Sequence, residues 1–295
     1  MSGWEALAGL DAVAPHTGPF PHVGFLAAWW RHRGAGTLLP IRAGAGAMAL
    51  VVADGTAALA GEPGLTDYHS PLGSDLDGVA AAVRESLPPG TRLALDSLPL
   101  EAAEPLMKQF AAVGVSLTMR PHDATMILHL PGDSDTYLGT LDSKQRHEVR
   151  RKRRRFEEQA GAPALRRDAE ALAGFAAMHR AASGAKGGFM TAEMEHFFGS
   201  LVDEAGAVVD VLCDGDGATV GAAFGFEDAD TYYLYNSAFH PDRAALSPGI
   251  VLVIALIDAA LAGGRRRLDF LKGPEDYKVR LGAVTRPLFV LEGEL

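Results

Sequence analysis

Apolar residues along the chain alternate between a period near 3.6 and a period of 2, and that alternation predicts two successive mixed α/β units. In residues 21–34 (PHVGFLAAWWRHRG), Phe25, Leu26, Trp29 and Trp30 fall at helical spacing. Residues 46–53 and 57–60 read as two strands around Asp54-Gly55, a strong hairpin signal. A loop with Asp67-Tyr68-His69 leads to a helix over 74–87 that Ser74 or Asp75 would cap. A strand at 92–96, a helix at 100–113 and a strand at 115–119 complete the first unit. The junction falls within 113–122, giving domains of 1–120 and 121–295.

The second unit opens with an alternating strand at 124–130 and a helix through 144–155, which Gln159-Ala160-Gly161 would stop. Helices at 168–183 and 191–204 flank a glycine-rich segment, Gly184 to Gly188. Strands at 208–213, 219–226 and 231–239 form a meander. After the loop HPDRAALSPG comes an apolar helix, 250–262, closed by Gly263-Gly264, and residues 267–271 are expected to be the last buried strand. A meander feeding a helix and then a parallel strand lets the third and fourth strands part at one end, where backbone N–H groups and a helix N-terminus face the gap.

Composition narrows the class. At 295 residues with 48% apolar content the chain has ample core for two domains. Cys213 is the single cysteine, which excludes a disulfide framework and a cysteine zinc site. The ten histidines have no metal-ligand spacing, so no metal is expected. The opening MSGWEALAGLDAV lacks the basic flank of a signal peptide, and the apolar run 250–257 is too short to span a bilayer, so a cytoplasmic protein without a membrane span is expected. The net charge of −10 hides one basic run: residues 144–155 (KQRHEVRRKRRR) hold eight Lys or Arg against Glu148, leaving the remainder near −17. Arg150, Arg151 and Arg154 are either a solvated helix face or a platform for donor phosphates, which guanidinium forks bind well.

The densest candidate chemistry is DFLKGPEDYKVRLG, residues 269–282. Lys272 and Lys278 lie with Asp269, Glu275 and Asp276 in a glycine- and proline-containing stretch after a buried strand, where α/β proteins place their sites. Asp269 would either orient an acceptor amine or cap the following turn. Lys272-Gly273 could reach a donor phosphate, as could Ser247 and Gly249 at the start of the apolar helix, where Pro248 gives up no needed donor. Tyr235-Asn236 on the third meander strand, Lys186 between its glycines, and Asp67-Tyr68 in the first unit are the acceptor-side candidates.

Taken in order, PFPHVGFLAAWWRHRG, SKQRHEVRRKRRRFEEQAG, FAAMHRAASGAKGG, YYLYNSAFHPDRAALSPGIVLVIALIDAALAGG and DFLKGPEDYKVRLG give the chain a resemblance over nearly its full length. It resembles GNAT-superfamily acyltransferases of the CelD-like, cellulose-biosynthesis type, related to the FemA/FemB/FemX aminoacyltransferases. The resemblance implies an α/β (α+β) fold of two tandem GNAT-like units, each a mixed sheet flanked by helices. The phosphate loop of ordinary acetyl-CoA enzymes is not evident before Ile250, a departure from that pattern. Tyr277-Lys278 looks like the aromatic-lysine pair of FemX-like enzymes, which implies a role in transfer, with Lys278 stabilising the oxyanion.

Three functions follow. The first is an N-acyltransferase moving an acyl group, acetyl foremost, from acyl-CoA to an amine of a small molecule or cell-envelope precursor. The second is a Fem-like aminoacyltransferase using aminoacyl-tRNA. The third is a non-catalytic anion-binding module.

Overall fold

The computed structural model describes residues 3–273 and 275–295. The chain forms two units, Met1–Thr125 with Arg286–Leu295, and Met126–Thr285.

In the first unit helix α1 (Val23–Arg33) precedes strands β1 (Thr37–Ala43), β2 (Gly46–Ala53), β3 (Thr56–Leu59) and the short β4 (Leu72–Gly73). Helix α2 (Leu76–Ser86), β5 (Arg92–Pro99) and α3 (Leu100–Ala112) follow, and β6 (Leu117–His129) begins in this unit and ends in the second. The hairpin forms where Asp54-Gly55 predicts it: φ is 48° and 70°, the left-handed pair that a two-residue turn requires. Asp75 caps α2 by accepting the Gly78 N–H, and Val79, Ala80 and Val83 turn one stripe into the core with Leu95, Leu98 and Phe110. β1 carries no expectation from the sequence because Pro40 breaks its pattern; among the described residues it pairs only with β2 and sits at the end of the strand order, where a proline is tolerated.

The second unit contains α4 (Ser134–Thr140), α5 (Ser143–Ala160), β7 (Ala164–Arg167), α6 (Leu172–Ala181), α7 (Ala185–Phe189) and α8 (Ala192–Ala205). The meander β8 (Val208–Cys213), β9 (Thr219–Glu227) and β10 (Thr231–Phe239) leads to α9 (Pro248–Ala262), β11 (Arg267–Lys272) and α10 (Asp276–Arg280). Strand order is β11-β10-β9-β8-β7, antiparallel except for the parallel pair β10–β11. Asp142 caps α5 by accepting the Gln145 N–H, and Gly161 ends it. α9 is buried nearly all round, packing Leu252, Ile257 and Leu261 against Phe156, Leu268 and Phe270.

Residues 267–271 are not the last strand. β12 (Val284–Glu294) follows and pairs antiparallel with β5, so the tail returns to the first unit. Its Arg286 and Pro287 interrupt the strand pattern. The two strands expected at 115–119 and 124–130 are one, β6, whose middle residues are exposed and so lack an apolar signature.

Helices α6 and α8 and strands β9 and β10 enclose an aromatic cluster centred on Phe224, whose ring lies 4.5 Å from Phe198 and 5.9 Å from Phe175. Phe224→Ala is expected to cost about 3–5 kcal/mol of unfolding free energy in urea titrations, because a fully buried ring leaves a cavity. A loss below about 1 kcal/mol would mean that the cluster does not support this sheet.

Candidate active site

β10 and β11 pair only from Thr231–Arg267 to Tyr233–Asp269. Beyond that, 234–239 and 270–272 have no ladder between them, which is the parting that the meander-helix-strand order predicts. A β-bulge between Leu234 and Asn236 turns the β10 side chains at this point. On β11 the buried Asp269 accepts the Leu271 N–H at 2.8 Å, and Leu271 takes a left-handed φ of 59°. That turn leads through Lys272-Gly273 to α10. Pro274 lies outside the described residues.

Lys278 is 3% exposed. Its ammonium donates to Lys272 O at 2.9 Å, to Gly273 O at 3.0 Å and to Glu275 Oε2 at 2.9 Å, so its three protons tie the loop to α10. Gly273 is required here: its φ is 109°, and a Cβ would lie 2.5 Å from a Glu275 oxygen. Burial works most strongly on the Glu275 carboxylate and pushes it up, but the Lys278 hydrogen bond, a backbone hydrogen bond and the charges of Lys278 and Lys186 together hold the group below its ordinary range.

These groups wall a cleft of about 320 Å³ with Lys186, Tyr235, Asn236, Phe270 and Tyr277. Tyr235 stacks into the aromatic cluster, 5.5 Å from Phe226 and 5.6 Å from Phe198. The Tyr277 ring meets Phe270 edge-on at 5.9 Å; burial, then the nearby Glu275 charge, push its phenol up to about 12. Asn236 Oδ1 accepts the Ser237 N–H at 2.8 Å, which fixes which amide atom is oxygen. His179 lies 3.1 Å from that oxygen through Nε2, so Nε2 carries the hydrogen. Burial, then the Lys186 charge, lower the His179 pKa, and the imidazole is neutral at pH 7. Lys186 is lowered chiefly by the protein packed around it; it remains solvent-accessible, with its ammonium 5.9 Å from the Phe239 ring centre.

A second cleft of about 580 Å³ runs between α5, the start of α9 and α10. Val149, Ile250 and Leu281 supply its apolar wall, and Lys144, His147, Lys152 and Arg280 its basic rim. Tyr277 lines this cleft as well as the first.

The sequence candidates therefore divide. Lys186, Tyr235, Asn236, Lys272, Tyr277 and Lys278 line one cleft, with the Gly273 carbonyl held at its edge by Lys278. Asp269 is buried and does not line it. Ser247 precedes Pro248 at the start of α9 in a left-handed conformation, φ 55°, and Gly249 sits against Phe239. Arg150, Arg151 and Arg154 are exposed and outside both clefts; Arg151 pairs with Glu148 at 2.8 Å and Arg154 with Glu158 at 3.8 Å. Asp67 and Tyr68 belong to the first unit, where the buried Tyr68 hydroxyl shares a 2.5 Å hydrogen bond with Thr125. His179, Phe189 and Phe270 also line the cleft without having been singled out, as does Glu275, which the sequence groups with Lys278. His179 sits one helical turn from Phe175 and reads in the sequence as part of an apolar helix face.

Residues 143–279 match the sequence model of the acetyltransferase (GNAT) domain. Over those residues the chain carries a GNAT-type acyltransferase domain, and the protein is an acyltransferase. No curated protein matches it in sequence. Among solved structures it is similar to a conserved protein of unknown function from Bacteroides thetaiotaomicron (11% identity, 100% of this chain and 96% of that one, TM-score 0.64). It is also similar to FemX (11%, 98% and 94%, TM-score 0.62) and to L-PGS from Bacillus licheniformis (12%, 93% and 92%, TM-score 0.59). At these identities the likeness is one of fold. Among the described residues no cluster of metal-binding side chains occurs, and no helix is long and apolar enough to cross a membrane.

Proposed function

We propose that the second unit transfers an acyl group, acetyl foremost, from acyl-CoA to the amine of a small molecule or cell-envelope precursor, as a member of the CelD-like type. One observation carries this reading: Tyr277 forms a wall common to both clefts. The larger cleft has the apolar wall and basic rim suited to an acylated arm ending in phosphates. The smaller one takes the acceptor.

The amine attacks the thioester carbonyl, an oxyanion builds, and the C–S bond breaks as the thiol takes up the proton that the amine gives up. Tyr277, still a phenol at neutral pH, is the proton donor to the leaving sulfur, and its phenolate is reprotonated by the proton that the amine gives up. Lys278 stabilises the oxyanion. Two of its N–H groups hold the 272–273 carbonyls; the third, now on the half-exposed Glu275, is the one that turns to the reacting oxygen. Asp269 acts through the backbone, setting the direction of 270–272. The donor's phosphates fall to Lys144, Lys152 and Arg280 at the rim.

A second reading, transfer from aminoacyl-tRNA, is favoured by the exposed arginines of α5, several of them in solvent-facing ion pairs outside the cleft that a polyanion could replace. Thermal-shift titration separates the two. Acetyl-CoA or a longer acyl-CoA is expected to raise the melting temperature, since a ligand bound only by the folded state stabilises it by RT ln(1 + [L]/Kd). Charge reversal at Lys144 and Lys152 is expected to weaken that shift more than reversal at Arg150 and Arg154. Steeply salt-dependent binding of charged tRNA, with no response to any acyl-CoA, would favour the second reading instead. Silence from both would leave an anion-binding module.

A further inference from the structure

Resting on this transfer reading, the residues of the smaller cleft narrow its acceptor. Three lysines, Lys186, Lys272 and Lys278, stand in its wall against one carboxylate, Glu275. Glu275 is already drawn to Lys278 at 2.9 Å. Lys186 makes no ion pair within 4 Å among the described residues; the protein crowds it, the Glu275 charge acts on it from farther off, and its ammonium stands 5.9 Å from the Phe239 ring centre. A partly desolvated cation in a pocket wall is stabilised by an anion brought to it.

Asn236 adds direction. Both hydrogen bonds made by its side chain end on Oδ1, from the Ser237 N–H at 2.8 Å and from His179 Nε2–H at 3.1 Å. With the oxygen held twice, the amide cannot flip, and Nδ2 is left as a pair of N–H donors in the wall of the cleft, bonded to no described protein group. His179 is the positioning residue for this amide: it is 2% exposed and wedged between Phe175 and Phe189, with ring centroids 5.9 and 5.4 Å away. A buried, neutral imidazole suits that role, because it donates one hydrogen without bringing a charge into the pocket. An amide donor and an ammonium in one cleft wall make a site for a compact planar oxyanion. A volume of about 320 Å³ has room for an acceptor of the size of an amino acid or dipeptide.

We infer that the acceptor is an amine carrying a carboxylate, an amino-acid-like molecule, whose carboxylate is held by Lys186 and by Asn236 Nδ2 while its amine faces Tyr277 and Lys278.

The test uses pairs of amines that differ only in the carboxylate: alanine and ethylamine, serine and ethanolamine, lysine and 1,5-diaminopentane. Binding to the full-length protein is followed by ligand-observed NMR without any donor, and acylation is followed with acetyl-CoA. The carboxylated member of a pair is expected to bind at least 10-fold tighter and to show the higher kcat/KM, with the difference mainly in KM. Asn236→Asp keeps an oxygen for both the Ser237 N–H and His179 Nε2–H, so the fold is retained, but it replaces the amide donor with a negative charge. It is expected to erase the preference or reverse it, and Lys186→Met to reduce it. Equal binding of both members by the native protein, or an unchanged preference in Asn236→Asp, would overturn the inference even where transfer occurs. A carboxylate preference in binding, with no acylation from any acyl-CoA, would sustain it while removing acyl-CoA as donor.

Discussion

Lys278→Ala is expected to lower acyl transfer by about 10²–10³-fold, the loss usual when one donor to a developing oxyanion is removed. The substitution takes away a charge and also the partner of two buried-edge carbonyls, Lys272 O and Gly273 O. Leaving such groups unsatisfied costs about 1–3 kcal/mol, so the melting temperature should fall by several degrees while the circular dichroism of the folded protein is kept. Two variants separate the contributions. Lys278→Met fills the buried volume without the charge and should be as inactive as alanine. Glu275→Gln leaves Lys278 in place and frees its third N–H from an ion pair; transfer should survive in it. Full activity in Lys278→Ala would sink the assignment, and global unfolding of both Lys278 variants would make the residue a loop tie alone.

Tyr277→Phe carries the next largest effect. Removing a general acid costs typically 10²–10⁴-fold, and here the loss should appear in kcat, with donor and acceptor KM little changed because the ring still walls both clefts. The pH profile gives the sign. Burial and the Glu275 charge hold the phenol up to about 12, so in the native protein it remains protonated from neutral pH to well above 10, and no alkaline loss of rate from this group is expected below that. Leaving groups provide the sharper readout: a donor whose thiol needs no protonation, such as an acyl thioester of an acidic aryl thiol, should be used almost equally by Tyr277→Phe and by the native protein. If the variant lost the same factor with both donors, Tyr277 would be a packing residue of the cleft wall.

Both units were legible in the sequence wherever a local signal was strong. The Asp54-Gly55 turn in the first unit, the Gly161 stop and the α9 helix between Pro248 and Gly263 each follow from residues that permit few other conformations. β12 was not legible because its Arg286 and Pro287 break the alternation, and β1 was hidden by Pro40. In the cleft, Lys278 stood out because charge crowds into a short polar stretch, and Tyr277 through its likeness to the aromatic-lysine pair of FemX-like enzymes. His179 did not, because the same residue on an apolar helix face serves equally as core. What gives it a role is a contact across 57 residues of sequence with Asn236, which no local pattern encodes. The basic helix was visible as a run of charge, but the face turned to the cleft, Lys144, His147 and Lys152, is set by packing on α9 through Val149 and Phe156.

The central claim, acyl transfer from acyl-CoA at the wall shared by two clefts, is tested most directly by product stoichiometry. The purified protein is incubated with acetyl-CoA or a longer acyl-CoA and the amine pairs above, and free CoA thiol and N-acylated amine are measured by mass spectrometry. The account predicts one thiol released per amide formed, with both lost together in Lys278→Ala. Amide formation only when aminoacyl-tRNA replaces acyl-CoA, or thiol release with no acylated amine, would contradict it.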